Sequence, residues 1–290
     1  MTLKQLKDTI GRIGIWTPVL RSEDPERRAL ITEAATELDR LGYGAIWLGG
    51  SPHVRDTVPL LEATSRIVVA TGILSIWNDE PADVAQAFSR VNAAFDDRLL
   101  LGLGVSHAIL TERYEKPYAS MRDFLTALDE ATTPVPRDHR VLAALGPRML
   151  ELARTESAGA HPYLVTAEHT AQAREALGPD ALLAPDLKVV LDDDIPRARE
   201  TARTYLARYL ALPNYTNNLQ RLGFTTEDFE NGGSDPLLDA VFALGSPTDI
   251  AAKVETFHAA GADHVALNVV TRNEEEIPLP QWHTLAESLL

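Results

Sequence analysis

The stretch RLLLGLGVSH (98–107) sets Gly102 and Gly104 one residue apart, with Ser106 and His107 directly behind them. A Gly-x-Gly closing an apolar run is the first half of a dinucleotide fingerprint, in which glycines let the backbone approach a pyrophosphate at a helix start. The third glycine is missing here. The next ten residues, AILTERYEKP, end in Pro117, and a helical pattern is expected only from near Ser120. The acidic residues that follow lie inside the helical stretch MRDFLTALDE (121–130), whereas a ribose-binding acid belongs at a strand end. The two glycines are therefore read as space at the end of a strand, with Ser106 and His107 projecting beyond it.

A second stretch, Ala143-Ala144-Leu145-Gly146-Pro147-Arg148, has different chemistry. It combines a strand end, a glycine that permits close approach, a proline suited to a first helical turn, and an arginine at that turn. Free N–H groups at a helix start favour anions, so this is a candidate anion site in an acidic chain; the plainer alternative is a helix start with a surface arginine. Four histidines fall at strand ends or just after them: His53, His107, His161 and His169. No His-x3-His or His-Glu-x-x-His spacing links them, so no metal site is expected. His107 is the first candidate for cofactor or substrate contact. His53, after Gly49-Gly50-Ser51-Pro52, is a candidate proton donor or else a turn residue, and His169 is read as a surface residue of a helix.

The elements that must position these groups alternate along the chain. Eight apolar, β-branched runs are strand candidates: 12–16, 45–50, 66–77, 98–105, 140–145, 159–165, 187–191 and 263–270. Helical patterns lie between them, with start signals at Asp24-Pro25, Thr166 and Ser246-Pro247, and with glycines 42 and 261 where helices should end. Continuously apolar strands alternating with helices imply a parallel sheet covered on both faces. Eight such units in 290 residues fit an α/β fold of the (β/α)8 barrel type, one domain over 1–290; a doubly wound open sheet is the second choice. Residues 213–245 are polar and too long for an ordinary connection, so they are expected to form an insertion: a surface excursion, an extra helix pair, a lid or a subunit contact.

Composition narrows the function. A formal net charge of −15, with no basic cluster, argues against nucleic-acid binding, and an anionic ligand must find a local positive site. The absence of cysteine excludes disulfides and thiolate chemistry. The N-terminus lacks the apolar core of a signal peptide, and no run approaches about 18 apolar residues, so no membrane partner and a cytoplasmic location are expected.

The succession GYGAIWLGGSP (42–52), RIVVATGILSIW, AFDDRLLLGLGVSH, RVLAALGPRMLELA (140–153) and GAHPYLVTAEHT resembles the bacterial luciferase-like family, and within it the actinobacterial branch that uses the deazaflavin coenzyme F420. The resemblance runs from about residue 12 to residue 270. It implies a (β/α)8 barrel with the flavin or deazaflavin across its C-terminal mouth. It implies a cis peptide at Gly72-Ile73 whose bulge backs the central ring, and Gly104, Ser106, His107 and His161 at the mouth. It also implies a phosphate held by the backbone of Leu145 and Gly146 with Arg148 beside them, and Ala144 among the cofactor-binding residues. Many relatives have an acidic residue followed by histidine at the end of strand two, where this chain has Gly50-Ser51, so no relative's proton-transfer scheme carries over. Trp16, Trp47 and Trp77 could wall a flat ring or pack the core.

The sequence is thus read as an F420-dependent oxidoreductase that passes a hydride between deazaflavin and a small organic substrate, with His107 or His53 handling the proton. An FMN-dependent monooxygenase and a non-catalytic flavin-binding barrel are the alternatives. The expected partners are a small-molecule substrate and a second copy of the chain.

Overall fold

A computed structural model of the protein describes every residue except Ala108, Leu110 and Glu112; these three fall in the stretch AILTERYEKP. In chain order the strands are β1 (Ile13–Thr17), β2 (Ala45–Leu48), β3 (Val68–Thr71), β4 (Leu74–Ser75), β5 (Leu99–Gly104), β6 (Arg140–Leu142), β7 (Gly159–Ala160), β8 (Leu182–Leu183), β9 (Asp186–Leu191), β10 (Phe242–Gly245) and β11 (Val265–Val269). Every pairing is parallel, in the lateral order β10-β9-β11-β1-β2-β3-β5-β6-β7-β8, with β4 also on β5.

The ring closes through β8 and β9, which are successive lengths of one extended run interrupted at Pro185. On one flank, Ala184 N–H donates to Ala160 O and Asp186 N–H to Pro162 O; on the other, Ala266 N–H donates to Pro185 O, each at 2.9 Å. The run therefore joins β7 to β11, and the wall has eight strands, as the (β/α)8 reading expected. β10 was not expected. It bonds to the same flank of β9 that β7 has left lower down, in the register Phe242 to Lys188 and Leu244 to Val190.

The strands are buried on both faces, which is why they read as unbroken apolar runs. One set of side chains fills the barrel: Trp16, Ala45, Trp47, Val68, Ala70, Leu100 and Val141, closed below by Leu6 and Ile10 of the helix Leu3–Ile10. The alternate set, with Ile15, Ile46, Leu48, Val69, Leu99 and Leu101, packs under the helical layer. The expected start signals cap helices: Asp24 before Pro25–Leu41, Thr166 before Ala167–Leu177 and Ser246 before Pro247–Ala259. The helix expected near Ser120 begins earlier, at Pro117.

Leu100, Gly102 and Gly104 share the inner face of β5, so this face loses its side chains as it approaches the mouth. The space is taken from the neighbouring strand. Between the pairs Ala70–Leu100 and Leu74–Leu103, four steps along β3 and β4 oppose three along β5, a one-residue bulge at Thr71-Gly72-Ile73. The Gly72–Ile73 peptide bond is cis. Thr71 Oγ1 donates to Gly102 O at 2.7 Å and accepts from Gly102 N–H at 2.8 Å.

Residues 213–245 form the helix Pro213–Arg221, a 3-10 segment Glu227–Gly232, the helix Asp235–Val241 and β10. They dock on the helix Ile195–Leu210 through their own apolar cluster, in which Leu206, Leu212, Leu219, Leu237 and Phe242 are buried.

A β-carbon at Gly102 would lie 2.0 Å from Thr71 O, a backbone atom that cannot swing aside. Gly102→Ala should therefore cost about 3 kcal/mol or more of unfolding free energy in urea melts, at the upper end of overpacking penalties; a loss under about 1 kcal/mol would show that the bulge yields freely.

Candidate functional site

At the C-terminal ends of the strands a cavity of about 360 Å³ opens over the bulge. One wall has small or flat surfaces: Gly72, Ile73, Gly104, Ala143, Ala144 and Leu145. A β-carbon at Gly104 would lie 2.4 Å from Ile73 Cδ1, so this glycine is what lets Ile73 occupy the wall. Trp16 closes the floor, its indole Nε1–H donating to Gly72 O at 2.8 Å.

The opposite wall is tyrosine, which the sequence reading did not assemble. Tyr163 Oη lies 2.6 Å from Tyr205 Oη and 2.9 Å from Tyr209 Oη, and the last two are 3.1 Å apart. Asn268 Nδ2–H donates to Tyr205 Oη at 3.0 Å. The Lys188 ammonium sits 3.2 Å from the centre of the Tyr163 ring and pairs with Asp186; both are fully buried. Burial lowers Lys188 to about 8 and raises Asp186. At the rim, Arg208 pairs with Glu274 at 2.6 Å and stacks over the Tyr205 ring. The one local signal for this wall is the i, i+4 spacing of Tyr205 and Tyr209, since Tyr163 comes from a different strand end.

Eight of the expected residues line this cavity: Gly72, Ile73, Gly104, Ser106, His107, Ala144, Leu145 and His161. His107 is half-buried, and its Nδ1 lies 2.8 Å from Asn214 Oδ1 of the insertion. An amide oxygen only accepts, so Nδ1 carries the proton and Nε2 is the ring's proton acceptor. Burial lowers its pKa, against the bond to Asn214. His161 lies deeper, stacked on Trp47 at 4.1 Å, with Nδ1 2.6 Å from Ala184 O. Its Nε2 is a buried acceptor with no protein partner.

The other candidates lie outside the cavity wall. Gly146 is the N-cap of helix Pro147–Glu156, one residue past Leu145. Arg148 is exposed, with its guanidinium 4.3 Å from the centre of the Tyr118 ring. His53 is half-buried, its Nδ1 2.7 Å from Asp79 Oδ2, a partner the sequence reading missed. His169 is corrected: it is a buried residue, 3% exposed, with Nε2 2.9 Å from Leu145 O. Of the tryptophans, Trp16 lines the cavity and Trp47 is buried beneath His161, while Trp77 bonds Val105 O beside it. Of the insertion, Asn214 and Tyr215 line the cavity, so its first turn overhangs the mouth. Among the described residues, no group of three His, Asp or Glu side chains could hold a metal, and no helix is long and apolar enough to cross a membrane.

Residues 12–264 match the model of the luciferase-like monooxygenase family. Among curated proteins no sequence matches. Several solved structures share the fold. An F420-dependent secondary alcohol dehydrogenase in complex with an F420-acetone adduct superposes with a TM-score of 0.73 at 14% identity, over 96% of this chain and 98% of that one. The coenzyme F420 dependent tetrahydromethanopterin reductase from Methanopyrus kandleri gives 0.75 at 15% identity, again over 96% and 98%. The oxygenating constituent of 3,6-diketocamphane monooxygenase from Pseudomonas putida, in complex with FMN, gives 0.64 at 13% identity, over 97% and 99%.

Burial lowers His161 to about 3 and His264 to about 4, against about 6.5 in an unfolded chain. As pH falls below about 6.5 the unfolded state gains protons that the folded state refuses, so stability declines with falling pH until the folded values are reached. Urea melts between pH 6.5 and 4 should lose about 1 kcal/mol per pH unit for each of these histidines, and His161→Gln should remove one of the two contributions. A slope equal to that of the parent would mean that His161 protonates in place.

Proposed function

The chain belongs to the luciferase-like monooxygenase family, and from that premise we propose that it is an oxidoreductase whose cavity holds coenzyme F420 and a small organic substrate. One observation carries the reading: a continuous flat wall, Gly72-Ile73, Gly104 and Ala143–Leu145, leads straight to the N–H groups that open helix Pro147–Glu156. A flat ring fits the first part and a phosphate the second. The F420-dependent neighbours support the choice of cofactor.

The residues present suit such a group. Gly104 makes room for Ile73, whose side chain completes the ring wall, and His161 Nε2 offers a buried acceptor to an N–H or O–H of a bound molecule. Backbone N–H groups of Gly146 and Arg148 have no intramolecular acceptor among the described residues. When bound, a deazaflavin supplies two-electron hydride chemistry at its central ring.

The protein's own part is positioning and proton handling. Trp16 fixes the bulge through Gly72 O, so Ile73 stays pressed toward the cavity. The three tyrosine hydroxyls, held by one another and by Asn268, form a neutral polar wall facing it. His107, kept neutral by burial and oriented by Asn214, can take a proton at Nε2 from a substrate hydroxyl or return one to a carbonyl oxygen. The Arg208–Glu274 pair offsets one charge of each sign at the rim and Glu276 adds a negative one, which disfavours an anionic substrate.

Fluorescence titration with F420 and with FMN tests the reading directly. F420 is expected to bind in the micromolar range or tighter, with FMN at least tenfold weaker. The reverse preference would establish a flavin monooxygenase, and binding without turnover of alcohols, enones or imines a non-catalytic barrel. His107→Phe is expected to lower turnover about 100-fold with little change in cofactor affinity.

A further inference from the structure

Helix Pro213–Arg221 of the insertion meets the cavity wall at its first turn and the start of helix Pro147–Glu156 at its last. Its first turn gives Asn214 to His107 and Tyr215 to the cavity. Its last turn reaches the helix start one residue past Leu145: a β-carbon placed on Gly146 would lie 3.8 Å from Arg221 Nη2. The same Nη2 donates to Asn218 Oδ1 at 3.0 Å, so this arginine is held by a neutral amide, with no carboxylate against it among the described residues. Asn218 is 2% exposed, and with its oxygen committed to Arg221 its Nδ2 is left buried without a partner. Burial lowers His169, and the Arg221 cation adds to this against the bond to Leu145 O.

We propose that Arg221 and Asn218, together with the free N–H groups of Gly146 and Arg148, bind the cofactor's phosphate, and that the Arg148 side chain takes no part. The inference rests on the cofactor reading above. It replaces an arginine engaged with Tyr118 by one that stands over the helix start, and it gives Asn218 Nδ2 the acceptor it lacks. The phosphate contact and the His107 contact then sit at opposite ends of one helix, about 13 Å long for nine residues. An anion bound at Gly146 ties down the element that orients His107.

Two ligand pairs make the test: FMN against riboflavin, which differ in the phosphate alone, and F420 against its deazaflavin nucleoside, which lacks the phosphate and the acidic chain beyond it. Dissociation constants are measured by fluorescence for the parent, Arg221→Ala, Arg221→Lys and Arg148→Ala. Arg221→Ala should weaken FMN or F420, whichever the parent binds, by 10- to 100-fold and leave the phosphate-free partner within twofold. Arg221→Lys should recover part of the loss, and Arg148→Ala should change neither. If both members of a pair weaken equally in Arg221→Ala, or neither weakens, this inference fails while the cofactor reading stands. If none of the four ligands binds the parent protein, the cofactor reading fails and this inference with it.

Discussion

Thr71 and Gly102 bind each other twice, through a hydroxyl that donates to a carbonyl and accepts from the N–H of the same residue. The contact brings the bulged strand against β5, and the Thr71 carbonyl oxygen then occupies the place of any side chain at Gly102. From it follow the shift in register beyond Thr71, the exposure of Ile73 to the mouth, and the need for a second glycine at 104 to receive that side chain. A packed barrel interior would otherwise continue upward, layer on layer, to the end of the strands. Here the filling stops at Trp47 and Leu100, and the cavity begins where it stops.

The wall facing the bulge is organised by polarity. Four tyrosines from β7's exit, the helix Ile195–Leu210 and the insertion bring bulky apolar bodies and three mutually bonded hydroxyls to one surface. Behind them Lys188 and Asp186 are paired without access to water, the ammonium lying against the face of the Tyr163 ring. A buried ion pair is a poor source of stability, and this one is better understood as fixing where Tyr163 can sit.

Much of this was legible in the chain. The eight apolar runs became the eight strands of the wall because strands buried on both faces cannot hide their composition. The seventh reads short, from residue 187, because Pro185 and Asp186 break the apolar run that starts at Leu182. β10 was missed because Phe242–Gly245 directly follows a helix and lies inside a stretch of polar character. At the site, glycines and the helix start were readable because their function is local and backbone-borne. The tyrosine wall, the His53–Asp79 contact and the approach of Arg221 to Gly146 join residues tens of positions apart, and no short-range pattern encodes such meetings. His169 misled because a helix that follows a strand end exposes most of its polar residues, whereas this one turns inward against Leu145 O.

β10 also changes what kind of object the insertion is. A segment that only lay over the mouth could be cut away and leave the barrel intact. This one returns a strand to the sheet, covering the N–H and C=O groups of β9 at Lys188 and Val190 that β7 does not reach. Without it those groups form an open, apolar strand edge, the kind of surface on which other chains nucleate ordered aggregates. The element that shapes the mouth is thus also a guard on the barrel's solubility, so loss of the insertion in a shortened variant would endanger the fold before it altered any ligand.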